Sequence, residues 1–428
     1  MTNMQTDIAA GIDLAAGLFV SVGAATFDGI GYTRASYGEG EQRAHDIVAA
    51  AARDMGLVVE TDAALNLWMT LKGKDPSRKK LIIGSHLDAV PQGGNFDGLA
   101  GVLAGLACAL AWKQTGLQPK GDVVVLAIRA EESAWFGAQH IGSRAMLGTL
   151  APAIFDQAHR VDTGQALGEH MQQAGGDLAR LLLNQSLLDR ETIRAYLEVH
   201  IEQGPVLVEK ALPVGIVTGI RGNRRCRRVV CRGAYGHSGT VPRELRQDAV
   251  MGVSELVVAM DGLWRRIEED GGDLVLTFGQ FFTDSRRHAV TTVPGEATFS
   301  FDARSHSSET LQQVEQALLD HAARISAERH VTFTFDPMTG DVPVSMSDRL
   351  QRRLAEGANI LAIPAMPIAS GAGHDAGDFA AAGIPSAMIF LRNDKGSHNP
   401  DEGMELDDFA QGVRLLNWLV EDLDAQPL

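Results

Sequence analysis

Four short apolar runs punctuate the chain, and each ends in charged or imidazole side chains. "KKLIIGSH" at 79–86, "GDVVVLAIRAEE" at 121–132, "AYLEVHIEQG" at 195–204 and "IPSAMIFLRN" at 384–393 read as strands buried on both faces. Between them the period changes from short runs to 3.6. Residues 39–56, "EGEQRAHDIVAAAARDMG", predict a helix ending at Gly56, and a helix rich in small and apolar residues is predicted from Asp97 to 114. Strands alternating with helices predict an α/β domain with a mostly parallel sheet flanked by helices.

The middle of the chain has another rhythm. From 213, "PVGIVTGIRGNRRCRRVVCRGAYGHSG" alternates like paired strands, followed by a helix at about 244–268 and strands at 273–282 and 295–304. A helix at about 307–328 and the strand "HVTFTFDP" complete a β-α-β-β-α-β order. The expected organisation is one domain of residues 1–212 and 337–428, with an α+β domain of 213–336 inserted into it.

With 428 residues, two domains are the natural expectation. The net charge of −16 disfavours nucleic acid or an anionic membrane as the main partner. The arginine run "RGNRRCRRVVCR" at 221–232 lacks interleaved aromatics and reads as a solvated strand face or one paired with acidic residues. Three cysteines without a CxxC pattern fit a reducing cytoplasm. The N-terminus has no basic region of the kind that opens a signal peptide, and no apolar run is expected to approach a membrane span.

The chemistry lies where the predicted strands stop. His86 ends the first, Glu131 and Glu132 the second, His200 is near the end of the third, and His398 lies in the loop after the fourth. Open α/β sheets bind ligands beyond the carboxyl ends of their strands. Asp97 joins from a helix start. A set of histidines and carboxylates without cysteine suits zinc, manganese or cobalt, and a carboxylate such as Asp97 is able to bridge two cations. Asp88, two residues beyond His86, is placed to accept its ring proton. On a regular strand Glu131 and Glu132 point oppositely, one toward a metal and one free for proton transfer. Any one of these residues alone would more often be structural; their convergence on one sheet edge is what points to a metal site.

The stretches "GSHLDAVPQGGNFDGLAGV", "EESAWFGAQHIGSRAMLG", "HIEQGPVLVE", "GAYGHSGTVP", "VPGEATFSFDAR", "SGAGHDAGDFA" and "SHNPDE" follow one another between about residues 30 and 410. In them the chain resembles the aminoacylase and carboxypeptidase-like di-zinc metallopeptidases, in the branch of N-carbamoyl-L-amino acid hydrolases, β-ureidopropionase and allantoate amidohydrolase. The resemblance implies two divalent cations held by His86, Asp97, Glu132, His200 and His398, with Asp97 bridging. It implies Glu131 as general base, Asp88 as support of His86, and His237 as oxyanion donor reaching the site from the neighbouring subunit of a homodimer built on the inserted domain. Arg304 would bind the substrate carboxylate, Gln203 would lie beside His200, and His374 would lie near the active-site mouth. The implied substrate is a small carboxylate-bearing N-carbamoyl amino acid or other ureido acid. An aminoacylase or dipeptidase using the same metals is the alternative, and a non-catalytic metal-binding scaffold a remoter one.

Two departures bear on the substrate. Relatives usually read "EE-x-x-R-F" and "N-x-x-N-V-I-P-G"; this chain has Trp135 in the first, and His288 and Thr291 in the second. Trp135 and Thr291 are expected to give a more apolar pocket than an allantoate site.

Overall fold

A computed structural model describes residues 7–116 and 118–425. The chain divides into two compact units, one of residues 1–218, 346–368 and 372–428, the other of residues 219–345 and 369–371.

In the first unit four parallel strands form the centre of the sheet, in the order Ser386–Leu391, Ile193–Ile201, Lys80–His86, Val123–Ile128. Nearly every residue in them is buried, so these apolar runs are the hydrophobic middle of a sheet covered on both faces. Antiparallel strands extend it on both sides: Val214–Ile220 beyond Ser386–Leu391, and Leu67–Leu71 then Val58–Thr61 beyond Val123–Ile128. The strands whose ends carry the candidate chemistry are thus the parallel centre of this sheet.

The helix Leu99–Gln114 packs along the central strands, and its small residues set how closely. A Cβ on Gly101 would meet the Val199 carbonyl oxygen at 2.1 Å and Cβ of Ser85 at 2.6 Å. Ala9–Thr26 and Leu406–Ala425 cover this helix from outside.

Ala9–Thr26 corrects one expectation. Its 18 residues, with a mean hydropathy of 1.5, are long and apolar enough to cross a membrane by length and composition. Here Leu18, Phe19 and Val22 enter the core, and the Phe19 ring lies 5.2 Å from Phe96 and 5.3 Å from Phe409. Spaced polar residues and glycines broke up the apolar signal without lowering its mean. Residues 1–6 of the N-terminal stretch lie outside the described residues.

The second unit is a four-stranded antiparallel sheet, ordered Val275–Thr283, Glu296–Ser305, Gly222–Arg232, Thr332–Phe335. Ala249–Glu269 and Ser308–Arg329 pack on it, and the chain order is β-α-β-β-α-β. Both helices have side-chain N-caps: Asp248 accepts from the Met251 N–H and Ser307 from the Thr310 N–H. Their core includes Val253, Leu256, Leu311 and Val314 against Val229, Phe299 and Phe301. In the arginine run, Arg221, Arg224, Arg225 and Arg232 pair with Asp273, Glu315, Asp302 and Glu296.

The boundary near 213 shifts. Val214–Ile220 pairs with Ser386–Leu391 in the large sheet, with Val217 opposite Met388, so the units divide after Thr218. An apolar strand pattern reports burial but not which sheet supplies the neighbour. At the far end, residues 337–345 belong to the second unit rather than the first.

Candidate metal centre

The end of Lys80–His86 delivers His86, and the turn before Leu99–Gln114 delivers Asp97. Gly98, at φ +67, makes this turn possible, because a Cβ there would meet His86 Nδ1 and Cε1 at 2.5 Å. His200 comes from the penultimate position of Ile193–Ile201. Nε2 of His200 lies 3.1 Å and Nε2 of His86 3.5 Å from Asp97 Oδ1, and the two nitrogens are 3.4 Å apart.

The other Asp97 oxygen faces a second group. His398 Nε2 lies 3.6 Å from Asp97 Oδ2 and 3.2 Å from Glu132 Oε1. The five side chains thus form two triads sharing Asp97, each with donor atoms within 4.8 Å of one another.

Glu131 and Glu132 are not on a strand, as the sequence suggested. The strand ends at Ile128, and Ala130 takes a left-handed φ of 53°. That turn brings both carboxylates to the same side: Glu131 Oε2 lies 3.9 Å from His86 Nε2. Asp88 holds the turn. Its Oδ1 accepts from the Glu131 N–H at 3.0 Å, and its Oδ2 from the Glu132 N–H at 3.2 Å and the Ser36 hydroxyl at 2.6 Å.

The donor set fits cations. Nδ1 of His86 lies 3.1 Å from the Asp88 carbonyl and 3.3 Å from its Oδ1, and Nδ1 of His200 lies 2.9 Å from the Ile201 carbonyl. Carrying hydrogen at Nδ1, each neutral ring presents a bare Nε2 to the centre. Asp97 Oδ1 is buried with no hydrogen-bond partner. Lone pairs converging out of water need a positive charge among them. Without metal, protons supply it. Burial pushes His200 down, but Asp97 outweighs this and raises it to about 9. Burial pushes Asp97 up, but His200 and His86 hold it well below the usual carboxylate range. At the outer triad, Glu132 raises His398 to about 9, while burial raises Glu132 to about 7. A divalent cation would compete with these protons.

Gln203 donates to Asp97 Oδ2 at 3.1 Å and lies 3.4 Å from His398 Nε2. His374 is not at a mouth: it is 1% exposed, with its ring 4.5 Å from that of His200. The Asp375–Ala381 helix follows it directly, and the His374 ring lies 5.6 Å from that of Phe390, beside Glu198 and His200. Trp135 is likewise a core residue, packed in the cluster of Tyr37, Phe136 and Ile141 and donating its indole N–H to the Ala89 carbonyl at 2.8 Å. Its contribution is packing beside Ala89.

His237, Thr291 and Arg304 belong to the second unit. His237 is exposed on a two-residue strand paired with Thr292–Val293, and the Ser238 N–H donates to the Thr291 carbonyl at 2.9 Å. Arg304 donates from Nε to Asp302 at 2.8 Å and from Nη1 to the Gly371 carbonyl at 2.6 Å. His288 lies nearby in sequence, with Nδ1 2.8 Å from the Thr283 hydroxyl.

The pattern of strand ends did not reveal several supporting residues. Glu402 accepts from the Phe96 and Asp97 N–H groups at 2.8 and 3.2 Å, and Ser397 donates to Asp97 Oδ2. Arg34, fully buried, donates to the carbonyls of Leu87 at 2.7 Å and Asp97 at 3.2 Å. Ser397 and Glu402 flank His398 in "SHNPDE", which is a usable signal; Arg34 has none.

Residues 82–422 match the model of peptidase family M20/M25/M40. The chain is 36% identical to the N-carbamoyl-L-amino acid amidohydrolase of Geobacillus stearothermophilus, over 90% of this chain and 92% of that one. It is 33% identical to the allantoate amidohydrolase of Escherichia coli K12, over 86% and 87%. Among solved structures, a hydantoinase/carbamoylase family amidase from Burkholderia multivorans superposes with a TM-score of 0.87 at 26% identity, over 99% of this chain and all of that one.

Proposed function

The chain belongs to peptidase family M20/M25/M40, and on that premise we propose that it is a metal-dependent amidohydrolase cleaving the carbamoyl C–N bond of an N-carbamoyl-L-amino acid or a related ureido acid. The observation that carries the reading is the pair of triads sharing Asp97 with the Glu131 carboxylate beside them. Relatives named for carbamoyl amino acids and for allantoate support the substrate class.

In this reading His86, His200 and Asp97 would hold one divalent cation, and Glu132 and His398 with Asp97 a second; zinc, manganese and cobalt suit the donors. Bound there, the cations would polarise the scissile carbonyl and make a nearby water more acidic. Glu131 takes the attacking water's proton and delivers it to the leaving nitrogen. His237, supplied by a second subunit, donates to the carbonyl oxygen as it gains charge. Arg304 grips the substrate carboxylate through its planar guanidinium. Gln203 orients the amide, Thr291 offers one hydroxyl where a carboxamide would offer more, and His374 backs His200 from beneath. The second unit serves as lid and dimer contact, and the enzyme works in the cytoplasm on a small anionic substrate.

The test is a screen of purified, metal-loaded protein against N-carbamoyl-L-amino acids, allantoate, N-acyl amino acids and dipeptides. Amino acid released with ammonia and carbon dioxide supports the proposal. Amino acid released with an intact acid makes the chain an aminoacylase or dipeptidase. Faster turnover of allantoate than of apolar carbamoyl amino acids would refute the pocket reading of Thr291. No turnover of any of them would leave a metal-binding scaffold.

A further inference from the structure

His140 is an imidazole beside this centre that neither triad uses. Its Nε2 lies 3.3 Å from Glu131 Oε1, and its Nδ1 lies 2.6 Å from Asp378 Oδ2. The contact is built rather than incidental. His140 is 8% exposed and takes a left-handed φ of 54° at the start of Ile141–Leu147. Its N–H donates to the Glu131 carbonyl at 2.7 Å, so backbone and ring both clasp the same residue. A Cβ on Gly373 would meet His140 Cε1 and Nε2 at 2.9 Å, which leaves only glycine beside the ring. Asp378 stands on Asp375–Ala381, and the Ser143 hydroxyl bonds Asp375 at 2.5 Å, tying the two helices that present the pair.

We propose that His140, oriented by Asp378, is a positioning residue for Glu131: it holds Oε1 and thereby keeps Oε2 turned toward His86 and the shared cluster. The inference rests on the reading of Glu131 as the proton-transfer group. Carboxylate oxygens flank both ring nitrogens, so the ring is held at both ends between Asp378 and Glu131. Burial opposes charge on the ring, and the hydrogen bonds to Asp378 and Glu131 outweigh it, holding His140 well above the ordinary histidine value. The device answers a specific need. A glutamate side chain has three rotatable torsions, and a proton shuttle must return to one geometry between taking and giving its proton. His86 lies 3.9 Å from the opposite oxygen, too far to fix the carboxylate alone.

The experiment compares His140→Leu, His140→Gln, Asp378→Asn and the Asp378→Asn/His140→Leu pair on the metal-loaded enzyme. His140→Leu should lower kcat by roughly 10- to 100-fold, the range for removing a group that orients a catalytic one, with KM and bound metal unchanged. His140→Gln, which keeps a donor, should recover part of the loss. Asp378→Asn should lower kcat alone but add nothing in the His140→Leu background, because it acts through the ring. A wild-type kcat in folded His140→Leu would overturn the proposal, as would a loss matched by loss of metal. If the leucine variant fails to fold, His140→Gln and Asp378→Asn carry the test: a wild-type kcat in both would overturn the proposal. Glu131→Gln separates this from the parent reading. If that variant hydrolyses normally, the proposed function fails; if it is dead while His140→Leu is unimpaired, only the positioning role fails.

Discussion

Asp88 Oδ1 accepts a hydrogen bond of 3.0 Å from the backbone N–H of Glu131, 43 residues further along the chain. With the Glu132 N–H and the Ser36 hydroxyl on Oδ2, and His86 Nδ1 3.3 Å from Oδ1, this one buried carboxylate sets the His86 imidazole and the turn carrying both glutamates. Burial alone would raise it, but His86, Ser36 and the Glu131 N–H hold it below the usual carboxylate range. Asp88→Asn keeps the shape but offers one acceptor oxygen in place of two. We expect a fall in kcat/KM of about 10- to 100-fold, with weaker metal binding. Steady-state kinetics together with metal titration of the apoprotein will measure both.

Metal removal should lower stability as well as activity. The described chain gathers Asp97, Glu131 and Glu132 within one buried cluster, and cations that bind only the folded state stabilise it by mass action. At a free metal concentration 100 times the Kd, this amounts to about 2.7 kcal/mol. The expected result is a Tm that falls in chelator and returns on adding Zn, Mn or Co. A Tm indifferent to metal would count against a cation site.

Gly98→Ala should damage the centre without replacing a titratable group. The position has φ +67, and the new Cβ would stand 2.5 Å from His86 Nδ1. Strain of roughly 1–3 kcal/mol falls on the residue that joins His86 to Asp97. We expect reduced metal content in purified protein, read by elemental analysis, in a chain that still folds by circular dichroism.

His45 should make the fold acid-sensitive. It is 3% exposed on Glu39–Asp54, and neither ring nitrogen has a hydrogen-bond partner. Burial, helped by the Arg129 charge, holds it well below its ordinary value of 6.5. The unfolded chain therefore binds a proton first. The stability His45 allows is fully present above 6.5 and is lost as pH falls from there toward the depressed folded value. Replacement by leucine also removes unsatisfied buried nitrogens, at about 1–3 kcal/mol for such a group. His45→Leu should show a shallower decline in denaturation midpoint between pH 6.5 and about pH 5 than the wild type. An identical slope would show that other groups carry the acid response.

The site divides into what was readable and what was not. His86, His200 and His398 stood at or beyond the ends of buried runs, and the rule that sheets bind ligands at carboxyl strand ends led directly to them. Glu131 and Glu132 follow the second buried strand as read, but not with strand geometry, since a left-handed residue, Ala130, breaks the alternation that a strand would impose. Arg34 and the His140–Asp378 pair carried no local signature, because each acts on a residue remote in sequence: Arg34 on Asp97, and Asp378 on His140 at a separation of 238.

The sequence by itself determined the strand-and-helix alternation around the buried four-strand centre, the β-α-β-β-α-β segment and the kinds of ligand atoms offered. These follow from periodicity, which reflects the pleat of a strand or the turn of a helix within a few residues. Only the tertiary structure decided that Val214–Ile220 joins the large sheet, that one face of the Ala9–Thr26 helix packs into the core, and that the His374 ring lies against His200. It also decided which carboxylate oxygen meets which imidazole. Those outcomes depend on strand neighbours, close backbone approaches such as that at Gly98, and left-handed turns at Ala130, His140 and His398. They are set by packing between distant segments, where no periodic pattern runs.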